Sequence, residues 1–201
     1  MFQLKQFLTS FHFLTEACVR DFEAIVKSNE FERGDYLLRA GKRCEHLHYI
    51  ERGLVQCYKG SKVQKQTLWF MLEGEMPIFK SSFYGQKESE ANIVALEDTR
   101  VFTVSYTDMR RLCEAHHSFA MMALKITEHY HTRSDLKSDV LAFRRPEDRY
   151  NFLKQQRPDI VERVPQKDLA SFLRITGETL SRIKRWQRTP PESGSAGQNV
   201  E

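Results

Sequence analysis

The stretch from Gln166 to Arg185, QKDLASFLRITGETLSRIKR, constrains the fold more than any other part of the chain. Leu169, Phe172 and Leu173 recur at helical intervals and form one apolar face. Ala170 stands where a second helix would cross, and a larger side chain there would hold the two apart. Arg174, Ile175 and Thr176 then read as a short turn, with Thr176 as the N-cap of a second helix. In that helix Leu180 and Ile183 lie three apart and face inward, while Glu178, Ser181, Arg182 and Arg185 face outward. The pattern is that of a helix-turn-helix, whose second helix is shaped to enter a major groove. Arg174 is an unusual occupant of the turn, where glycine often supplies a positive φ.

Charge is placed to suit such a use. Leu141 to Arg188 holds twelve Lys and Arg against six Asp and Glu, a net of +6, whereas Met1 to Val140 is balanced at nineteen of each. A neutral front and a basic back fit a chain whose last part meets phosphates.

Other classes are disfavoured. No apolar run approaches the roughly 18 residues needed to cross a bilayer. The N-terminal segment MFQLKQFLTSFHFLTEACVRDF is amphipathic and does not read as a signal peptide. Cys18, Cys44, Cys57 and Cys113 form no CxxC pair, so free thiols in a cytoplasmic protein are expected, not a zinc ribbon or iron–sulfur site. His46 and His48 share one face of a strand but have no third ligand beside them. No phosphate loop of nucleotide-hydrolase type, G-x-S-x-G elbow or HExxH occurs, so no catalytic residue, metal site or enzyme activity is expected.

Along the chain, helical spacing holds from about Leu4 to Lys27, through Leu4, Phe7, Leu8, Phe11, Phe22, Ile25 and Val26. From Phe31 to about Ser105, short β-rich runs alternate with turn signals about every ten residues, which suggests a sandwich or barrel. Thr107 and Asp108 are read as starting a helix. A longer helix is expected from Ser118 to Val140, with an apolar stripe of Phe119, Met122, Ile126 and Tyr130 flanked by Met121 and Leu124. That stripe needs a cover, and a second copy of the same helix is the economical one. The last residues, PPESGSAGQNVE, are Pro-, Gly- and Ser-rich and are expected to be disordered.

This order of parts resembles the CRP/FNR superfamily of transcription regulators. The matches are ERGDYLLRAG, YIERGLVQCYKG, the Glu73-Gly74-Glu75 loop, ALEDTRVFTVS and the helix-turn-helix, and they span about Leu4 to Trp186. The resemblance implies an α+β fold: an N-terminal double-stranded β-helix, or jelly-roll, of cyclic-nucleotide-binding type; a central dimerisation helix; and a winged-helix-like helix-turn-helix domain. The expected divisions are a sensor domain over 1–117, the central helix over 118–140, the DNA-binding domain over 141–188 and the tail over 189–201. It also implies a bacterial, cytoplasmic homodimer reading near-palindromic double-stranded DNA, with RNA polymerase as a further partner and no membrane association. The rival reading is a small-ligand receptor whose helix-turn-helix makes protein contacts only.

The resemblance assigns roles residue by residue. Family members that bind cyclic AMP use a Gly-Glu pair, matched by Gly74 and Glu75, and then an Arg followed by Ser or Thr. Here Ser89 and Glu90 occupy those last two positions, and Glu88 precedes them. An acid beside a cyclic phosphate repels it, so the pocket is degenerate and cyclic AMP is not expected as effector or cofactor; the pocket is either empty or holds a ligand that tolerates negative charge. The groove-facing positions are Thr176, Gly177, Glu178, Ser181 and Arg182. Arg182 suits a bidentate contact to guanine, and Glu178 suits cytosine N4. Gly177 replaces a base-contacting Arg, so the preferred sequence is expected to differ. Gln166, Lys167, Lys184, Arg185 and Arg188 are assigned to phosphates.

Overall fold

A computed structural model of the chain describes residues 10–61, 64–132 and 136–188, in two units, Met1–Lys137 and Ser138–Glu201. The expectations for Leu4, Phe7, Leu8 and the tail 189–201 lie outside the described residues.

In the first unit the N-terminal helix is shorter than its spacing suggested. Helix α1 is Glu16–Ile25, and the Thr15 hydroxyl accepts the Cys18 N–H at 3.2 Å to cap it. Phe11, placed in the helix by its spacing, lies in a turn before it, where its carbonyl accepts the Leu14 N–H. The chain then turns extended at once, and seven strands follow among the described residues: β1 Lys27–Phe31, β2 Tyr36–Leu38, β3 His46–Arg52, β4 Val55–Gly60, β5 Lys65–Met71, β6 Ala91–Ala95 and β7 Thr99–Ser105. They form two antiparallel sheets, ordered β1-β7-β3 and β2-β6-β4-β5. Register is fixed by pairs such as Tyr49 with Phe102 and Val55 with Ala95. This is the jelly-roll the resemblance implied, within the sandwich-or-barrel class the turn spacing suggested.

Gly53 makes the β3–β4 connection feasible. Its φ is +116°, and a Cβ there would lie 2.7 Å from the Thr99 Cα, so only glycine lets the turn rest on the start of β7.

The faces between the sheets bury Ile50 and Val101 from one side and Leu38, Val55, Cys57 and Ile93 from the other. Phe83, on the single-turn helix α2 (Lys80–Phe83), is fully enclosed in the same cluster. Each such side chain contributes about 1.5–3 kcal/mol by leaving water. The opposite face of β3 and β7 carries Tyr49, Phe102 and Val104, which pack with Phe22, Leu112, Phe119 and Met122. Both faces of these strands are therefore covered. That is why Val101 to Val104 are all buried and the expected in-out alternation is blurred.

Helix α3 is Tyr106–Ala115. It begins one residue before Thr107, and its cap is Ser105: the Ser105 hydroxyl accepts the Asp108 N–H at 3.0 Å and donates to the Asp108 carboxylate at 2.7 Å. Of the single helix expected from Ser118 to Val140, α4 His117–Thr132 and α5 Leu136–Ala142 are helical, and residues 133–135 lie outside the described residues. The stripe on α4 is not open for a second copy. Phe119 and Met122 are in the cluster on the sheet's outer face, with Ile126 and Tyr130 packed against it. The Tyr130 hydroxyl accepts the Met76 N–H at 2.7 Å. The residues left in solvent are the flanking pair, Met121 at 36% and Leu124 at 49% exposure.

The second unit is built from α6 Pro146–Gln156, α7 Pro158–Arg163, α8 Gln166–Leu173 and α9 Gly177–Arg188, with a proline in the first turn of α6 and α7, where a missing N–H is harmless. Tyr150, Leu153, Ile160, Leu169, Phe172, Leu173, Leu180 and Ile183 are among its buried apolar residues. Among the described residues it contains no strand, so the winged-helix-like expectation narrows to its helices.

Candidate nucleic-acid interface and ligand loop

Helix α8 buries Leu169, Ala170, Phe172 and Leu173. It ends at Arg174, whose φ of 54° and ψ of 49° are left-handed, the conformation that helix ends favour and that usually selects glycine. The Arg174 N–H returns to the carbonyls of Ala170 and Ser171, and the Ile175 N–H to Ala170 at 3.0 Å. These bonds satisfy carbonyls the helix end would otherwise orphan. Arg149 adds a donor from α6, with Nη1 3.1 Å from the Leu173 carbonyl.

Thr176 caps α9 as expected: its hydroxyl accepts the Thr179 N–H at 3.1 Å. Leu180 and Ile183 are fully buried, and Gly177, Glu178, Ser181, Arg182 and Arg185 are exposed on the other side. A hydrogen bond of 3.3 Å from Gln166 Nε2 to the Gly177 carbonyl ties the starts of α8 and α9 together, so Gln166 is partly engaged within the motif. Lys167 is exposed, and Lys184 is half-buried. The Arg188 side chain lies outside the described part. A Cβ on Gly177 would meet nothing within 4 Å, so space is open at the first turn of α9.

Two features of this helix escape the sequence reading. The Arg182 guanidinium lies over the Trp186 ring, 5.5 Å from its centroid, and makes no ion pair with Glu178 among the described residues. Trp186 itself is 54% exposed. Its spacing of four from Arg182 was the available signal. The far end of α9 is also fixed to α6: Gln187 accepts from Lys154 Nζ at 3.1 Å and donates to the Asn151 amide oxygen.

In the first unit, the loop after β5 is strapped to β3. The Gly74 N–H donates to the Ile50 carbonyl at 2.9 Å, and the Ile50 N–H to the Glu75 carbonyl at 3.0 Å. Gly74 has a φ of +80°. The Glu75 carboxylate accepts the Leu72 N–H at 2.9 Å, closing its own turn. Ser89 is buried, and its hydroxyl accepts the Ala91 N–H and donates to the Ala91 carbonyl at 2.7 Å. Its backbone bonds to Gly41 and Lys42. Glu90 is exposed and pairs with Lys59 at 2.5 Å, and that bond holds its carboxyl below the ordinary range. The Ser89 hydroxyl is thus spent on Ala91, the first residue of β6, and the Glu90 carboxylate on a surface lysine. The neighbouring Ser82 hydroxyl accepts the Cys44 N–H at 2.9 Å and donates to the Lys87 carbonyl, fixing α2 with Phe83 inside the roll.

Of the remaining candidate groups, His48, Cys18, Cys44 and Cys57 serve the core. His48 is buried, its Nδ1 is 2.9 Å from the Thr103 hydroxyl, and His46 stacks beside it. Cys44 and Cys57 meet between the sheets, where burial raises both thiols, and none of the four cysteines is bonded to another. No helix among the described residues is long and apolar enough to cross a membrane.

Comparison with known proteins agrees with these two parts. Residues 28–116 match the family model of the cyclic nucleotide-binding domain. No curated protein sequence matches the chain. Among solved structures, FixK2 from Bradyrhizobium japonicum superposes with a TM-score of 0.70 at 17% identity, covering 87% of this chain and 90% of that one. The c-di-GMP-responsive global regulator CLP of Xanthomonas campestris gives 0.67 at 17%, covering 87% and 92%. A transcriptional regulator of the CRP/FNR family from Eubacterium rectale gives 0.66 at 15%, covering 87% and 84%. Residues 28–116 are thus similar to a cyclic nucleotide-binding domain, and the chain has the fold of solved CRP/FNR-family transcription regulators.

Proposed function

We propose that the protein is a cytoplasmic, homodimeric transcription regulator that reads a near-palindromic DNA site through α9, without control by cyclic AMP. One observation carries the reading. On α9 the apolar pair Leu180 and Ile183 is buried, while Gly177, Glu178, Ser181, Arg182 and Arg185 form an uninterrupted polar row in solvent. A capped helix with that row, in a segment of net charge +6, fits a major groove. Arg182 reads guanine; Lys167, Lys184, Arg185 and Arg188 meet phosphate. The second copy sits on the exposed side of α4, at Met121 and Leu124, because the main stripe is spent on the sensor's own sheet. The absence of control by cyclic AMP is supported by Ser89 and Glu90, which supply no cation for its phosphate. Phe83 and Ser82 close the adjoining segment from within.

The test is binding to duplexes selected from a random pool. Arg182→Ala should cost about 1–3 kcal/mol at one base position and leave the others as they were. Lys167→Ala should weaken every sequence alike and lower the salt slope by about 1. Cyclic AMP should leave the wild-type curve unmoved. Uniform loss from Arg182→Ala, or tightening by cyclic AMP, contradicts these assignments.

A further inference from the structure

We infer that Trp186 is a positioning residue for base recognition: its indole holds the Arg182 guanidinium where it addresses the groove. The inference rests on the DNA-reading role proposed for α9.

Arg182 is a long exposed side chain, and ordering such a chain on binding costs affinity unless a neighbour orders it beforehand. Its neighbour one turn back, Glu178, makes no ion pair with it among the described residues. Its neighbour one turn on is Trp186, with the guanidinium 5.5 Å from the ring centroid. The two partners have different consequences. A carboxylate would engage the N–H groups that a guanine O6 and N7 require. A contact over an aromatic ring is made without hydrogen bonds and leaves those donors unspent.

The placement of Trp186 supports the role. The other large apolar residues of α9, Leu180 and Ile183, are buried in the unit's core, whereas Trp186 is 54% exposed and is not a core residue. The backbone beneath it is nonetheless fixed, because the adjacent Gln187 is bonded to both Asn151 and Lys154 on α6. A ring on an anchored helix end presents a steady surface to Arg182.

The experiment uses the full chain, the best duplex from selection and the single-base variants at the position whose preference Arg182→Ala abolishes. Trp186→Ala should weaken the best duplex roughly two- to fivefold and lower discrimination at that one position, with other positions unchanged. Trp186→Phe should restore most of the loss, and Trp186→Ala added to Arg182→Ala should cost little more. Equal loss on all duplexes, no loss at all, or full additivity with Arg182→Ala overturns the positioning role while leaving DNA reading intact. A wild-type chain that prefers no duplex defeats the DNA reading itself, and this inference with it. Circular dichroism melting should be unchanged by either Trp186 substitution.

Discussion

At the scale of single residues, the interior imposes consequences that a linear reading did not contain. Burial, with the neighbouring His46 as a smaller cause, lowers the His48 pKa from 6.5 to about 4. The unfolded chain therefore takes up this proton first as pH falls. The stability from keeping His48 neutral is complete above about pH 6.5, drains away between about 6.5 and 4, and is gone below. Its size is about 3 kcal/mol at one pKa unit per 1.36 kcal/mol. Urea midpoints at pH 7.5 and 4.5 should fall less in His48→Gln than in wild type; an equal fall would show that His48 does not set this slope. Arg174 is strained in the opposite sense, by backbone. An L-residue at φ 54° costs about 1–2 kcal/mol, partly offset by the greater freedom glycine has when unfolded. Arg174→Gly should raise stability by about 0.5–1 kcal/mol in thermal unfolding, and a lower melting temperature would mean the side chain itself holds the turn. The sequence exposed this position, because a turn that usually takes glycine carried arginine. It did not expose Ser89, whose burial depends on strands that meet only after folding.

Among elements, local patterns were legible and the question of what covers them was not. The helix-turn-helix was readable from its first residue to its last, because its cap, turn and apolar faces all lie within about twenty positions. The stripe on α4 was equally plain, yet its partner is a sheet face contributed by β3 and β7, distant in sequence. Periodicity shows that a face is apolar, not which surface removes it from water. The start of α3 slipped by one residue for a related reason, since Ser105 ends β7 and caps the helix at once. The exposed Met121 and Leu124 lie three apart on the free side of α4. Leu124→Glu should leave the fold intact, because the side chain is already half in water, and should lower the mass found by sedimentation equilibrium from dimer to monomer. A dimer that persists would place the seam elsewhere.

For the whole molecule, the sequence showed a β-rich front and a helical, basic back, and the structure has both. A sandwich or barrel was legible because turn signals recur at regular spacing, and the roll followed from the resemblance. That Ser89 and Glu90 stand where the resemblance expects an Arg and then a Ser or Thr was legible too, since residue identity can be read without coordinates. What these side chains touch was not: Glu90 meets Lys59, Ser89 meets Ala91, and the nearby Phe83 lies inside the sandwich. The front has the jelly-roll of a cyclic nucleotide-binding domain, with Ser89 and Glu90 bonded in this way, and the back has an exposed cationic helix. The central claim is that this helix reads duplex DNA. The most direct test is the affinity of the intact protein for its selected duplex and a scrambled one across a salt series. Four cations per protomer, Lys167, Lys184, Arg185 and Arg188, give an expected slope of log K against log salt on the order of −7 for a dimer. The selected duplex should stay at least roughly a thousandfold tighter than the scrambled one. A flat salt response, or equal affinity for both duplexes, would contradict it.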